Sequence, residues 1–432
     1  MDTDGSGAAG RTPGTPLLPG PQDGTRVAVA GPSADPSAVP LTVLDLPFGA
    51  GSIRATVTGR VTEVAVPVED HPPRPPAELF DQALDRPVAS ARLEARARPG
   101  DRIVLIVSDA TRDEPRADLV AAVRARLPDV RLTLAIATGT HGRAGGLAAV
   151  GLDGAGLDGV AVLDHDGHDP RELVEVGTTA RGTPVRVHRA AVEADLVVAT
   201  GVIRPHYFAG WGAGAKAIFP GLAEAGAARV NHRWKAHPAA RAGAVDDNPC
   251  RLDLEEAARL AAPRSFLLDG VADGAGRVRG AVAGELLAAF RAGAAMARSW
   301  VRVTAAPHHV IVVSDLPPVT CSLYQASKLV AAVAHLLLPG GTIVVVAPCE
   351  TGTGPLDVVN QGIYETGLRP RLPAGHRIAL VSRLDPAVVG GTYALPAATL
   401  EAAIGEARAI GHAEELLVVR GASKLLLDAV DS

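Results

Sequence analysis

Residues 103–140, IVLIVSDATRDEPRADLVAAVRARLPDVRLTLAIATGT, decide the fold class. Two short runs rich in β-branched and aliphatic residues, 103-IVLIVS and 131-RLTLAIAT, flank 117-ADLVAAVRARL, whose apolar residues recur at helical spacing. Strand, helix and strand in that order make a βαβ unit, and strands apolar on both faces belong to parallel sheets covered by helices. The run 195-DLVVATG continues the series. A second series follows a long helical stretch at 281–300: strands at 309-HVIVVSD, 341-GTIVVVAP and 415-ELLVVRG, with helices at 321–338 and 396–411. The expected class is therefore α/β, with two domains of mainly parallel sheets flanked by helices and an active site in the cleft between them. Ligands of open α/β sheets sit beyond the carboxyl ends of the strands, so the residues just after each strand are where chemistry is sought.

Residues 1–40 are rich in Gly, Pro, Ala, Ser and Thr with no apolar period and read as a disordered leader. The expected units are 41–280, completed by 408–432, and 281–407. The segment 61-VTEVAVPV reads as exposed antiparallel strands.

The 432 residues carry 42 basic and 47 acidic side chains, and 47% are apolar, a balance that gives nucleic-acid binding no support. Three cysteines without a CxxC pair argue against a disulfide framework or zinc ribbon and fit a reducing compartment, so the cytoplasm is the expected location. No run of about 18 apolar residues or basic-then-apolar N-terminus calls for a membrane or secretion. Only four lysines occur, Lys216, Lys235, Lys328 and Lys424. A retained lysine is informative in an arginine-rich chain, because an amine can lose its proton and a guanidinium does not.

Five segments gather the unusual side chains. In 108-SDATRDEP, Asp109 and Arg112 follow a strand; Arg112 offers a planar fork for a carboxylate or phosphate, and the plain alternative is a helix cap beside a solvated arginine. In 138-TGTHGRAGG, Gly139 and Thr140 suit close backbone approach to an anion, and His141 is a candidate acid–base group. The stretch 201-GVIRPHYFAGWGAGAKAIFPG holds His206 and Lys216 among glycines that an ordinary helix or central strand would not tolerate. His232 in 231-NHRWKAH is a metal ligand only if other donors come from outside the chain, and otherwise structural. In 321-CSLYQASKLVAAV, Gln325 and Lys328 share a helix face, as do Tyr324 and Lys328, either to hold a carboxylate or as a solvated face.

In order and separation, DxTR at 109–112, ATGTH at 137–141, PHxFAG at 205–210 with Lys216 downstream, NH at 231–232 and YQASK at 324–328 resemble the nickel-pincer lactate racemase family over about nine tenths of the chain. The resemblance implies a racemase or epimerase, hence an isomerase, acting on lactate or a related 2-hydroxy acid by reversible hydride transfer. It implies nickel held by a pyridinium-3,5-dithiocarboxylic-type mononucleotide pincer joined covalently to Lys216, with His232 as the protein ligand to the metal. By the same resemblance His141 and His206 are the catalytic bases and Asp109 an acidic residue beside them. Arg112, Tyr324, Gln325 and Lys328 contact the substrate, and Thr111, Gly139, Thr140 and Gly214 contact the cofactor. The implied partners are a small 2-hydroxy acid and the cofactor-synthesis enzymes; neither nucleic acid nor membrane is called for, and no oligomeric state is marked.

The chain departs from the family pattern at Ala110, where a His is usual, at Gly142, where an Arg is common, and in GAGAK at 212–216 against a usual SGGRK. These positions bear on which hydroxy acid is turned over. The alternative function is a phosphate- or nucleotide-binding homologue that has lost the nickel cofactor.

Overall fold

The computed structural model describes residues 28–29, 41–65 and 74–430. Two sheets organise it. In the first, the strand order is Val278–Gly284, Ser265–Ala272, Leu196–Ile203, Arg102–Ser108, Arg131–Ala137 and Ala161–Asp164, parallel throughout except for the antiparallel pair of Val278–Gly284 with Ser265–Ala272. All eight residues of Leu196–Ile203 are buried, as expected of a central strand covered on both faces. Period-two alternation sorts the side chains: Val104, Ile106, Val197 and Ala199 face a core holding Phe290 and Trp211, while Ile103, Leu105, Leu196 and Val198 face one holding Phe80, Leu119 and Val123.

The second sheet runs Ala28–Val29, Arg60–Val64, Glu415–Arg420, His308–Ser314, Leu337–Val346, Arg377–Val381 and Leu395–Ala397. Its neighbours are parallel except Ala28–Val29 with Arg60–Val64. Helix Leu323–Val333 covers one face; the other is covered by helix Leu400–Gly411 and by Leu44, Leu46, Ala55 and Val57 of the hairpin Leu41–Phe48/Gly51–Thr58.

The α/β class with mainly parallel sheets and flanking helices is as expected, but several boundaries differ. Residues 41–64 and 415–420 go with the second sheet, not the first unit: the hairpin 41–58 packs on its face, and Val61 and Val64 pair in parallel with Leu416 and Val419 across most of the chain length. Arg60–Val64 is thus a parallel strand with one antiparallel neighbour; 66–68 and the expected leader, apart from 28–29, lie outside the described residues. Residues 281–284 end a strand, and the helix that follows, Leu286–Val301, starts where the Glu285 carboxylate accepts the N–H groups of Leu287 and Ala288. Its Phe290 and Ala294 pack on the first sheet, which carries that unit past residue 280. The helix at 321–338 stops at Val333 before strand Leu337–Val346, and that at 396–411 begins at Leu400, capped by Thr399. Among the described residues no helix is long and apolar enough to cross a membrane.

The two units meet through Arg371, which follows the π-helical segment Val358–Leu368. Its guanidinium donates to the carbonyls of Tyr207 at 3.1 Å, Lys235 at 2.6 Å and Ala240 at 2.6 Å.

Candidate active site

The loop after Arg102–Ser108 is shaped by its own carboxylate. Asp109 Oδ1 accepts the backbone N–H and the hydroxyl of Thr111, at 3.1 and 2.5 Å, and Thr111 Oγ1 in turn accepts from Arg112 at 3.0 Å. Arg116 closes the loop from helix Arg116–Arg124 by donating to the carbonyls of Ser108, Asp109 and Arg112. Asp109 Oδ2 lies 2.8 Å from His141 Nδ1 on the next loop. Burial raises the Asp109 pKa, but the hydrogen bonds from His141 and Thr111 and the charge of Arg112 outweigh it and hold the carboxyl below its usual range. An ionised Asp109 fixes the His141 proton on Nδ1 and leaves the Nε2 lone pair free.

In the ATGTH turn, His141 N–H donates to Thr138 O, and Gly139 takes φ +61° with its N–H donated to Gly221 O at 3.0 Å. That amide is committed, so Gly139 offers close approach rather than a free donor. Thr140 is exposed at the tip.

His206 lies in the two-residue strand Pro205–His206, paired with Gly210–Trp211. Its Nδ1 accepts the N–H of Ala209 at 3.2 Å, which leaves its proton on Nε2. Phe208 links two imidazoles: its ring meets His206 edge-on at 4.6 Å and His232 at 5.0 Å. Burial, followed by the charges of Lys216, Lys328 and Arg112, pushes His206 well below the ordinary histidine range.

Lys216 sits in the 3₁₀ turn Gly214–Ala217, whose first N–H is donated to Asp269 Oδ2 at 2.8 Å. Burial above all, with Arg251 and Arg112, lowers its amine to about 7, so near neutrality much of it is an uncharged nucleophile. His232 ends helix Ala225–His232. Its Nδ1 is buried and makes no hydrogen bond of good geometry; burial and the charge of Lys216 take the ring down to about 3, the nearby Ala228 carbonyl opposing them and Lys235 adding to them, which keeps it neutral.

From the second unit, Ser322 caps helix Leu323–Val333 and presents Gln325 and Lys328, whose Nζ donates to Gln325 Oε1 at 2.5 Å. Tyr324 packs on Gly354, where a Cβ would come within 2.9 Å of its own. Burial and the charges of Arg112 and Lys216 lower Lys328 to about 7, opposed by Asp109. These mutual influences bring all five segments to one place. Asp109 is the carboxylate that opposes the lowering of Lys328. Arg112, with the amines of Lys216 and Lys328, gives the place the donors that an anionic ligand needs.

Among the described residues no cluster of three or more His, Cys, Asp or Glu side chains forms a metal site. Sequence reasoning did not single out Arg116, Asp269 or Arg251. Arg251 is fully buried, donates to the carbonyls of Ala209 and Trp211, and stacks 4.2 Å from the Phe290 centroid. The one legible sign was Asp269, a lone carboxyl in the apolar run 265-SFLLDGVA.

Residues 48–243 match the model of the lactate racemase N-terminal domain. The lactate racemase of Lactiplantibacillus plantarum is 27% identical over 418 residues, covering 88% of this chain and 98% of the relative. That of Thermoanaerobacterium thermosaccharolyticum is 29% identical over 328 residues, covering 71% and 76%. Among solved structures, the lactate racemase apoprotein from the latter organism superposes with a TM-score of 0.78 at 24% identity, covering 90% of this chain and all of that one. A Thermotoga maritima protein matches with a TM-score of 0.59 at 15% identity, over 83% of this chain and all of its own. Two curated racemases aligned along most of its length, the same architecture, and a matching domain model across the Asp109, His141 and Lys216 loops support placing this chain, as an isomerase, with the lactate racemases.

Proposed function

We propose that the protein racemises lactate or a closely related 2-hydroxy acid with a nickel-bearing pyridinium mononucleotide attached through Lys216. The observation that carries this reading is the pair at the centre of the site: a Lys216 amine lowered to about 7, and a neutral His232 ring whose buried Nδ1 makes no hydrogen bond of good geometry. Both groups suit the cofactor's demands, a nucleophilic amine for attachment and a neutral imidazole for a metal whose other donors are soft sulfur and carbon. When bound, the cofactor supplies a site that takes up and returns a hydride.

The remaining work falls to side chains of this chain. Arg112 and Lys328 hold the substrate carboxylate by charge-assisted hydrogen bonds, with Gln325 and Tyr324 beside them, so that only the substituents on C2 change place. His141 Nε2, its lone pair free, takes the hydroxyl proton, and Asp109 stabilises the resulting imidazolium. His206, with its proton on Nε2, donates to the same oxygen from its own loop. The His141 imidazolium gives its proton back to the same oxygen, so with a cofactor that would take up and return the hydride the protonation states are restored and the product would be the enantiomer with no net redox change. Each such proton transfer is worth about 10²–10⁴-fold in rate.

The test is protein co-produced with the cofactor-synthesis enzymes. Intact mass should show one nucleotide adduct, lost in Lys216→Ala, with about one nickel per chain, and chiral chromatography should show interconversion of D- and L-lactate or of another acid in a panel of 2-hydroxy acids. An unmodified Lys216 in protein that still racemises would overturn the reading.

A further inference from the structure

Asp269 occupies the middle of strand Ser265–Ala272, opposite Gly201 on one neighbour and Val282 on the other, and is fully buried. A carboxyl in a strand covered on both faces is costly unless hydrogen-bonded. Its Oδ2 accepts the Gly214 N–H at 2.8 Å, while Oδ1 is buried without a partner. Burial drives this group well above the usual carboxylate range; the Gly214 N–H opposes that, Glu114 adds to it, and Arg251 opposes it.

The turn it holds is strained. Ala213 has φ +59° and ψ −159°, a region nearly reserved for glycine, and Gly214 follows at φ +64°. The surroundings press on this turn: a Cβ on Gly214 would stand 2.5 Å from Phe290 Cδ2, and a Cβ on Gly201 would stand 3.0 Å from that of Ala213. Lys216 comes two residues after the held amide.

We propose that Asp269 is the positioning residue for Lys216: its carboxyl clamps the Gly214 amide, and that one bond keeps Ala213 in its left-handed conformation and so fixes where the Lys216 amine stands. The inference deepens the reading of Lys216 as the cofactor-bearing amine and rests on it for its consequence, but the clamp is a property of the unloaded chain and is measured there.

Hydrogen exchange of the full-length unloaded protein, resolved by fragmentation across residues 210–220, reads the clamp directly. Asp269→Ala should speed exchange at the Gly214 amide about tenfold or more, the worth of one buried hydrogen bond to a polar group. Asp269→Asn, whose amide oxygen still accepts, should retain most of the protection. Adding Ala213→Gly to Asp269→Ala leaves the Gly214 amide without its acceptor, so exchange there stays fast, but protection lost at the Lys216, Ile218 and Phe219 amides of the turn should be restored, because glycine adopts this conformation without strain. In co-produced protein, intact mass should show the Lys216 adduct falling in Asp269→Ala and recovering in the double variant. Unchanged exchange at Gly214 would overturn the proposal. So would faster exchange spread evenly over strands Leu196–Ile203 and Ser265–Ala272 with no rescue, which would make Asp269 a general support of the sheet. If Asp269→Ala does not fold, a folded double variant supports the clamp and an unfolded one overturns it. A normal exchange pattern in a wild-type protein that never acquires an adduct supports the clamp and removes the cofactor reading instead.

Discussion

Asp109 Oδ2 holds His141 Nδ1 at 2.8 Å across two successive strand-end loops, and Asp109 is held in turn by Thr111, whose hydroxyl accepts from Arg112. The pair behaves as one unit, the carboxylate choosing the tautomer and stabilising the charged ring. Asp109→Asn keeps the shape and removes the charge. Turnover of the loaded enzyme should fall by about 10²-fold or more with the melting temperature nearly unchanged. Steady-state rates in both directions check this; a loss below threefold would separate Asp109 from the chemistry.

The two imidazoles differ in which nitrogen carries the proton, so neither replaces the other. His141→Ala and His206→Ala should each abolish racemisation in both directions, to about 10²–10⁴-fold below wild type, without loss of the Lys216 adduct. Chiral chromatography gives the rates and intact mass the adduct. Substantial turnover in either variant would remove that histidine from its role.

Lys328 is read as a carboxylate contact from the second unit. Lys328→Met keeps the length of the stem and deletes the charge, so KM should rise by about 10- to 100-fold, the worth of a charge-assisted hydrogen bond, with a smaller change in kcat. A change in kcat alone would assign Lys328 to the chemical step.

Lys216 and Lys328 are both lowered from ordinary lysine values to about 7, so between pH 7 and the unfolded value the unfolded chain binds more protons than the folded one. Stability of the unloaded protein should therefore rise with pH across that window and fall as pH drops toward 7. Lys216→Met and Lys328→Met should each flatten the rise. Thermal unfolding at a series of pH values tests the sign, and a slope unaffected by either substitution would count against buried, depressed amines.

Gly210 pairs with His206 at φ +76°, and a Cβ there would fall 1.8 Å from the Ala244 carbonyl oxygen. Backbone has to move to admit it. Gly210→Ala should cost at least about 2 kcal/mol, lowering the melting temperature by several degrees. An unshifted melting curve would show that the 205–211 hairpin relaxes freely.

Much of this architecture was legible in local pattern. Alternation in IVLIVS and RLTLAIAT is what sorts Ile103 from Val104 between two cores, and the motif residues stand where parallel strands end. The pairing of Arg60–Val64 with Glu415–Arg420 was not legible, because a contact between opposite ends of the chain leaves no trace in either segment's own period. At the site, Asp109 and His141 were visible as residues but not as a bonded pair. Arg251 was hidden for a different reason: in helix Pro249–Ala261 its position does not mark it as buried, and only the carbonyls of Ala209 and Trp211 explain why a guanidinium sits there.

The grip of Arg371 on the carbonyls of Tyr207, Lys235 and Ala240 has a mechanical consequence. Tyr207 adjoins His206, and Lys235 lies one turn beyond His232, so the same cation is anchored beside both imidazoles. A hinge movement that separated the halves at this seam would tug on both histidine-bearing loops at once.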